Sequence, residues 1–494
     1  AGDRPAAPGS GVVRVRGAAA SAAQSYSLLN RAEQALLRRL SVFPDSFDLN
    51  AAEAVCGFGD IDAFDVTGLL GSLADKSLVV AEPAGPALRY RLLETVRQFA
   101  AERLAEAGRD EADAVAAAHC AHYLTVAETA APYLTGPEQG KWLGWLDADL
   151  ANLRRAAEHA SGIPAGTAQV LRFGVALPRY WMARSQDEEA FALLWPVLDR
   201  PEAQADLELF GAALVSAVVA ARFADIAAAL RLGKQVVELA RQLHADRLLI
   251  ESLAALCAAY YYVGQPKRGI SPGREAIRRA RMLGDDVLLG VSLANYLLCD
   301  ALIDPIGAGP LFTEAIDCTR RSGDHLFASF VNNGVGVQAL RAGDIPAARA
   351  YLYQAAEAMR AIGDTSLSVT INMGWVQRQD HDPDGARASF EKALRISRRN
   401  GDRYGIANAS LGLACLAADA ADWQRAAMLH SVAQAFLDPT GQPWEELEAH
   451  YRQDSLDQVR AHLGPEQLEL AHAKGTALSF GEALDLASVK PDRA

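Results

Sequence analysis

The chain has 494 residues and a formal net charge of −13. That length exceeds what one core organises, so several domains, or one domain followed by a solenoid, are expected. The acidic balance excludes the chain as a whole from wrapping nucleic acid, which rewards clustered cations, so any DNA contact must be local or lie outside this chain.

Residues 1–20 are rich in Ala, Gly, Pro and Ser without apolar periodicity and read as a flexible tether. The absence of an initiator Met fits either its removal or a piece of a longer protein. Residues 21–108 read as a winged helix. Leu28 to Phe43, Leu49 to Cys56 and Ala63 to Leu73 have helical apolar spacing. Ser77 to Glu82 and Ala87 to Leu93 flank the turn Pro83-Ala84-Gly85-Pro86 as a β-hairpin, and Glu94 to Leu104 returns to helix. Direct readout of bases needs Arg, Lys, Asn or Gln on the helix that enters the groove. Here Ala63 to Leu73 is flanked by Asp60, Asp62, Asp65 and Asp75, with Lys76 as the nearby cation, so no direct DNA binding by this chain is expected.

Residues 109–163 read as a helical connector. His119 and His122 lie three apart but lack a third ligand at a matching offset, and read as packed or solvated rather than metal-binding. Trp142 and Trp145 read as an aromatic anchor of the connector core. Six cysteines, Cys56, Cys120, Cys257, Cys299, Cys318 and Cys415, show no CxxC or CxH spacing and read as small buried residues in a reducing, cytoplasmic setting. The longest apolar run, Leu209 to Ala221, falls short of the roughly 20 residues a membrane span needs.

Residues 164–440 carry the feature that fixes the architecture. Gly-Asp recurs at Gly284-Asp285, Gly323-Asp324, Gly363-Asp364 and Gly401-Asp402, with Ala245-Asp246 and Ala205-Asp206 as degenerate forms, 38 to 40 residues apart. Glycine ends a helix in the left-handed conformation and Asp caps the next, so each dipeptide marks a helix stop followed by a start. In phase with it recur Ala276, Ala315, Ala355 and Ala393, then Ala308, Ala348, Ala386 and Ala426, with Phe312, Leu352 and Phe390 as larger knobs between them. Asn333-Gly334, Met373-Gly374 and Leu411-Gly412 sit on the first helices. The pattern resembles the tetratricopeptide repeat (TPR) with units of about 39 residues rather than 34. The fold expected is therefore mainly α: a winged helix, then a TPR-like α-solenoid, a right-handed superhelix of helix pairs. Residues 441–494 read as a helical cap and tail.

The strings Leu28 to Cys56, Leu69 to Val80 and Tyr90 to Leu104 resemble the stretch that follows the nucleotide-binding domain in STAND-type (NB-ARC/LuxR-like) bacterial transcriptional regulators. Gly136 to Ala160 resembles their helical connector, and Gly475 to Ala487 the segment before their C-terminal helix-turn-helix. The resemblance implies a sensor region whose winged helix reports to an ATPase in the same or a partner chain. Two departures accompany it. No GxxxxGK[ST] loop occurs, and Leu92, Leu93 and Glu94 stand where the wider class has a nucleotide-contacting Met-His-Asp triplet.

No Gly-x-Ser-x-Gly elbow, Cys/His pair or paired-carboxylate motif points to catalysis, so neither enzymatic activity nor a cofactor is expected. The functional surface expected is the concave face built by the first helix of each repeat. The repeat phase puts Tyr261, Tyr262, Tyr296, Asn332, Gln338, Asn372, Trp375, Arg378 and Gln379 on or near it, a mix suited to a small-molecule or protein signal. Each ring could equally plug a gap between repeats. The alternative to a sensor is a free-standing TPR-type adaptor for a protein partner.

Overall fold

The computed structural model describes residues 23–84, 87–440, 442–478, 481–482 and 486. The expected tether, residues Gly85 and Pro86 of the hairpin turn and most of the tail lie outside them. The described chain is almost wholly helical and divides into two compact units. One comprises the residues up to Leu248 apart from Thr135–Gly140 and Ala183–Ser185; the other comprises those two segments and the residues from Leu249 onward.

In the first unit, helix Arg31–Leu40 starts three residues later than expected because Asn30 closes a capping box. The Glu33 amide donates to Asn30 Oδ1, and the Asn30 amide donates back to the Glu33 carboxylate, each at 2.9 Å. Leu36, Leu37 and Leu40 are fully buried, and Phe43 stacks on Phe47 with ring centroids 4.2 Å apart. Helices Leu49–Cys56 and Ala63–Asp75 follow, each opened by an Asp whose carboxylate accepts from a first-turn amide. Strands Val80–Ala84 and Ala87–Arg91 pair antiparallel, and Phe47 bridges to Tyr90. The expected order of three helices, hairpin and helix is what the structure shows, with Glu94–Ala107 as the last member. His119 is buried against Phe43 and Tyr123. Trp142 stacks on Tyr133 and meets Trp145 edge-on. The unit ends with the helix pair Leu207–Ala224 and Ile226–Gln242.

The second unit is built from further pairs: Asp246–Tyr262 with Pro266–Leu283, Asp286–Ile303 with Gly309–Ser322, His325–Arg341 with Ile345–Ala361, Leu367–Gln379 with Pro383–Asn400, and Arg403–Asp419 with Trp423–Leu437. Gly284, Gly323 and Gly401 end second helices at φ of +72°, +71° and +71°. Asp285, Asp324 and Asp402 then cap the following first helices. The Gly363-Asp364 mark departs from this: Gly363 is left-handed, but Ser366 caps the helix, which begins at Leu367. The reason is local, since the Asp364 carboxylate accepts from the Thr365 amide instead, one residue too early for a cap.

The in-phase alanines are fully buried, and glycines on the first helices admit the knobs. A Cβ on Gly374 would lie 2.7 Å from the Phe390 ring and one on Gly412 2.4 Å, so a side chain at either would displace it. First helices of successive pairs pack on one another, which places them on the inner face. The series continues past Leu437: helix Glu446–His462 packs on Arg403–Asp419 as a further first helix, and Pro465–Ala477 packs back on Trp423–Leu437. Among the described residues one helix, Asp286–Ile303, is long and apolar enough by composition to cross a membrane, but half of it is buried inside the protein as a repeat element.

Candidate ligand-binding face

The expected face divides in the structure. Tyr296 turns away from it toward helix Pro266–Leu283. Its hydroxyl donates to Asp300 Oδ1 at 2.7 Å and accepts from Arg274 Nε at 3.0 Å, in an open cleft of about 520 Å³ shared with Arg278 and Arg281. Asn332 and Asn372 are buried. The Asn332 amide nitrogen donates to the Ala328 carbonyl, and that of Asn372 donates to Asn333 Oδ1 of the preceding repeat at 2.9 Å. Gln338 is half-buried on the same helix as Asn332.

Trp375, Arg378 and Gln379 are brought together on one residue that sequence reasoning did not single out, Tyr451 of helix Glu446–His462. Trp375 is fully buried between Phe390 and Tyr451, with ring centroids 5.0 and 4.7 Å away. Gln379 Nε2 donates to the Tyr451 hydroxyl at 3.2 Å, and the Arg378 guanidinium lies over the Tyr451 ring. Arg378 is also held by both carboxylate oxygens of Asp419, at 2.6 and 2.8 Å, in the next repeat. These three positions therefore fasten the terminal helix to the repeats. The signal was in the sequence, since Tyr451 lies two repeat lengths after Trp375.

Tyr261 and Tyr262 meet edge to face at 5.2 Å and are half-buried. Tyr261 lies in the field of Glu445, Tyr404 and Arg341, which come from three other parts of the series. Burial is the main cause of the rise in the Tyr261 and Tyr404 phenols above their ordinary range, with the nearby carboxylates adding to it. Glu445 is exposed as a residue, yet desolvation of its carboxyl raises it, and Arg341 and the Tyr261 hydroxyl oppose that rise. Glu448, 7% exposed, is pushed up to about 7, by burial first and by Glu445 second, and its backbone hydrogen bond and the Arg341 charge do not offset the rise.

Several buried polar atoms on this face have no hydrogen-bond partner: Asn332 Oδ1, Arg341 Nε, Trp375 Nε1, Asn408 Oδ1 and Glu448 Oε2. All belong to first helices of the series. Leaving such groups unsatisfied costs about 1–3 kcal/mol each, and similar atoms occur elsewhere, among them Arg103 Nε, His119 Nε2, Ser397 Oγ and His430 Nδ1.

The winged helix presents a different chemistry. Helix Ala63–Asp75 shows Phe64, Asp65, Thr67, Gly68 and Gly71 to solvent. Lys76 is taken by Glu33, whose carboxyl is held down to about 2 mainly by that bond and by the Ser72 hydroxyl. On the hairpin, Arg89 binds Asp149 at 2.7 Å and the Ser46 carbonyl at 2.8 Å, and Arg91 binds Glu82 at 2.9 Å.

Residues 29–105 match the winged helix-turn-helix domain family and residues 327–399 the tetratricopeptide repeat family. The chain is homologous to a Mycobacterium tuberculosis protein that carries the designation HTH-type transcriptional regulator. The two are 31% identical over 341 residues, 69% of this chain and 34% of that protein. The chain thus spans about a third of the length of the curated relatives it matches first. An uncharacterized M. tuberculosis protein is 44% identical over 99 residues, 20% of this chain and 25% of its own length. Among solved structures, a Pyrococcus horikoshii Signal Transduction ATPase with Numerous Domains (STAND) carrying a tetratricopeptide repeat sensor aligns over 91% of this chain and 66% of its own, at 14% identity and TM-score 0.41. A Rap protein complexed with Competence and Sporulation Factor aligns over 69% of this chain and 99% of its own, at 10% identity and TM-score 0.43.

Proposed function

We propose that this chain is the signal-sensing and regulatory region of a transcriptional regulator: the repeats hold a small-molecule or protein signal on their inner face, and the winged helix passes that state to a nucleotide-binding domain of the same or a partner chain. The observation that supports the reading is that first helices of the repeats pack on one another and carry half-buried Tyr261, Tyr262 and Gln338, rings and an amide accessible to a ligand. A signal shifts such a regulator only through its differential affinity for two states, so the site must lie on a surface that those states build differently. A stack of helix pairs, each touching mainly its neighbours, supplies one. The work is cytoplasmic and needs neither a membrane nor DNA contact by this chain, whose winged-helix arginines and lysine named above are already paired.

Chromatin immunoprecipitation against this chain in its native cells tests the reading, beside a gel-shift assay with the purified 494-residue chain. Enrichment at a limited set of promoters, with no retardation of duplex DNA by the purified chain, is the expected pair of results. Absence from chromatin would sink the regulator reading. Retardation by the purified chain would move the DNA contact onto this winged helix.

A further inference from the structure

Helix Pro266–Leu283 stands apart in charge. It carries Lys267, Arg268, Arg274, Arg278, Arg279 and Arg281 against one acid, Glu275, in a chain whose net charge is −13. Elsewhere in the series Arg321 holds Asp286 and Arg349 holds Asp380. On this helix Arg281 holds Glu314 and Arg279 holds Glu275. Lys267 and Arg278, both exposed, make no hydrogen bond or ion pair among the described residues.

Arg274 is placed rather than neutralised. Its Nε donates to the Tyr296 hydroxyl at 3.0 Å, and that hydroxyl donates to Asp300 Oδ1 at 2.7 Å, with Tyr296 2% and Asp300 8% exposed. A buried phenol backed by a buried carboxylate thus fixes an exposed guanidinium and leaves its two terminal nitrogens open. Arg278 follows one helical turn later on the same face. The two guanidiniums line both open clefts on this helix. One, of about 520 Å³, reaches to Ile277, Asp304 and Leu311; the other, of about 390 Å³, reaches back to Lys267. The acids of the larger cleft already accept from donors, Asp300 from Tyr296 and Asp304 Oδ1 from the Gly307 amide at 2.9 Å.

Two adjacent guanidinium forks select among anions. A carboxylate spends its one charge and both oxygens on a single fork, whereas a phosphate monoester brings a charge of about −1.5 to −2 and three acceptor oxygens, enough for both. The apolar Ile277 and Leu311 and the room of the larger cleft suit a small organic group carried on that phosphate.

We propose that the cleft between helices Pro266–Leu283 and Gly309–Ser322 binds a small phosphate ester, with the phosphate held by Arg274 and Arg278 and with Tyr296 as the residue that positions Arg274. Lys267 adds attraction from the adjoining cleft. The site lies beside second helices, so it stands independently of what the inner face holds.

The test is isothermal titration calorimetry of the full chain with glycerol phosphate, glucose phosphate and adenosine monophosphate, each beside its dephosphorylated counterpart, and with inorganic phosphate. Saturable binding by at least one ester, none by its counterpart, and weaker binding of inorganic phosphate are expected. Arg274→Gln and Arg278→Gln should each lower the ester's affinity at least about tenfold, while Arg320→Gln on the next second helix leaves it unchanged. All three replace exposed side chains, so circular dichroism should stay the same. Tyr296→Phe keeps the ring and should weaken binding severalfold in the wild type but not in Arg274→Gln, a dependence that a purely structural role would not produce. No saturable binding by any ester, equal binding of the dephosphorylated compounds, inorganic phosphate binding as tightly as the esters, or full affinity in Arg278→Gln overturns the site. Promoter occupancy, which decides the regulator reading, is a separate measurement.

Discussion

Glu448→Gln measures what burying one carboxyl costs the fold. Burial raises the Glu448 carboxyl from 4.5 to about 7. A group whose folded value lies above its unfolded one stabilises fully below the unfolded value, and that contribution is lost as pH rises through the folded value. The rise corresponds to about 3 kcal/mol in total, of which about 1.3 kcal/mol is lost between pH 6 and pH 8. In a unit of this size each kcal/mol moves Tm by about 2–4 °C, so the wild type should lose a few degrees over that interval relative to Glu448→Gln. The variant should melt higher at pH 8. Asp402 is common to the two proteins and cancels, whereas Glu445 interacts with Glu448, so the difference between the curves reports the Glu445–Glu448 pair. Differential scanning calorimetry from pH 5.5 to pH 8.5 is the assay. Parallel curves would refute the assignment of Glu448 as a buried carboxyl that titrates near neutrality.

Three further results are expected. Gly412→Ala drives a Cβ to 2.4 Å from the Phe390 ring and should cost about 1–3 kcal/mol in urea denaturation, with Phe390→Leu in the same chain recovering part of it. A double variant no better than the single would show that the glycine serves another purpose. Burial lowers His430 to about 3, so its contribution is present above its ordinary 6.5 and lost as pH falls toward 3; Tm of His430→Gln should therefore fall less than the wild type's between pH 6.5 and pH 4. Tyr451→Phe removes one hydroxyl and should cost about 0.5–1.5 kcal/mol, whereas Tyr451→Ala, which strips Trp375 of a ring neighbour, should cost about 3–5 kcal/mol by chemical denaturation.

The repeat was legible because its marks are chemically forced. Left-handed Gly284, Gly323 and Gly401, and the aspartates after them, are required wherever a second helix stops and a first helix starts, so they recur in phase. A second set of marks went unread. Asp344, Asp382 and Asp422 cap the second helices, but His381 and Ala421 take the left-handed position where Gly343 stands, and the loss of glycine hid the turn. The inner face was only half legible for a different reason. Phase predicts which residues share a face but not which element ends the series, and Tyr451 and Glu448 lie on a helix that follows an irregular stretch after Leu437. Tyr296 shows the same limit from the other side: it is in phase, yet Arg274 and Asp300 draw its hydroxyl into the cleft beside the second helix.

The winged helix bears on where specificity would reside. Base readout needs free donors at a helix exposed to the groove, and phosphate contact needs cations that can exchange counterions. Lys76, Arg89 and Arg91 instead hold Glu33, Asp149 and Glu82, and the exposed face of Ala63–Asp75 carries Phe64 and Asp65. Freeing Arg89 would leave Asp149, 4% exposed, without its partner, and breaking a buried pair costs about 3–5 kcal/mol. Of these three cations Arg89 ties the hairpin to the connector, Arg91 pairs across the hairpin and Lys76 joins two helices of the module. Under the proposed function the module transmits a change of packing, and retardation of duplex DNA by the purified chain would instead assign sequence choice to this winged helix.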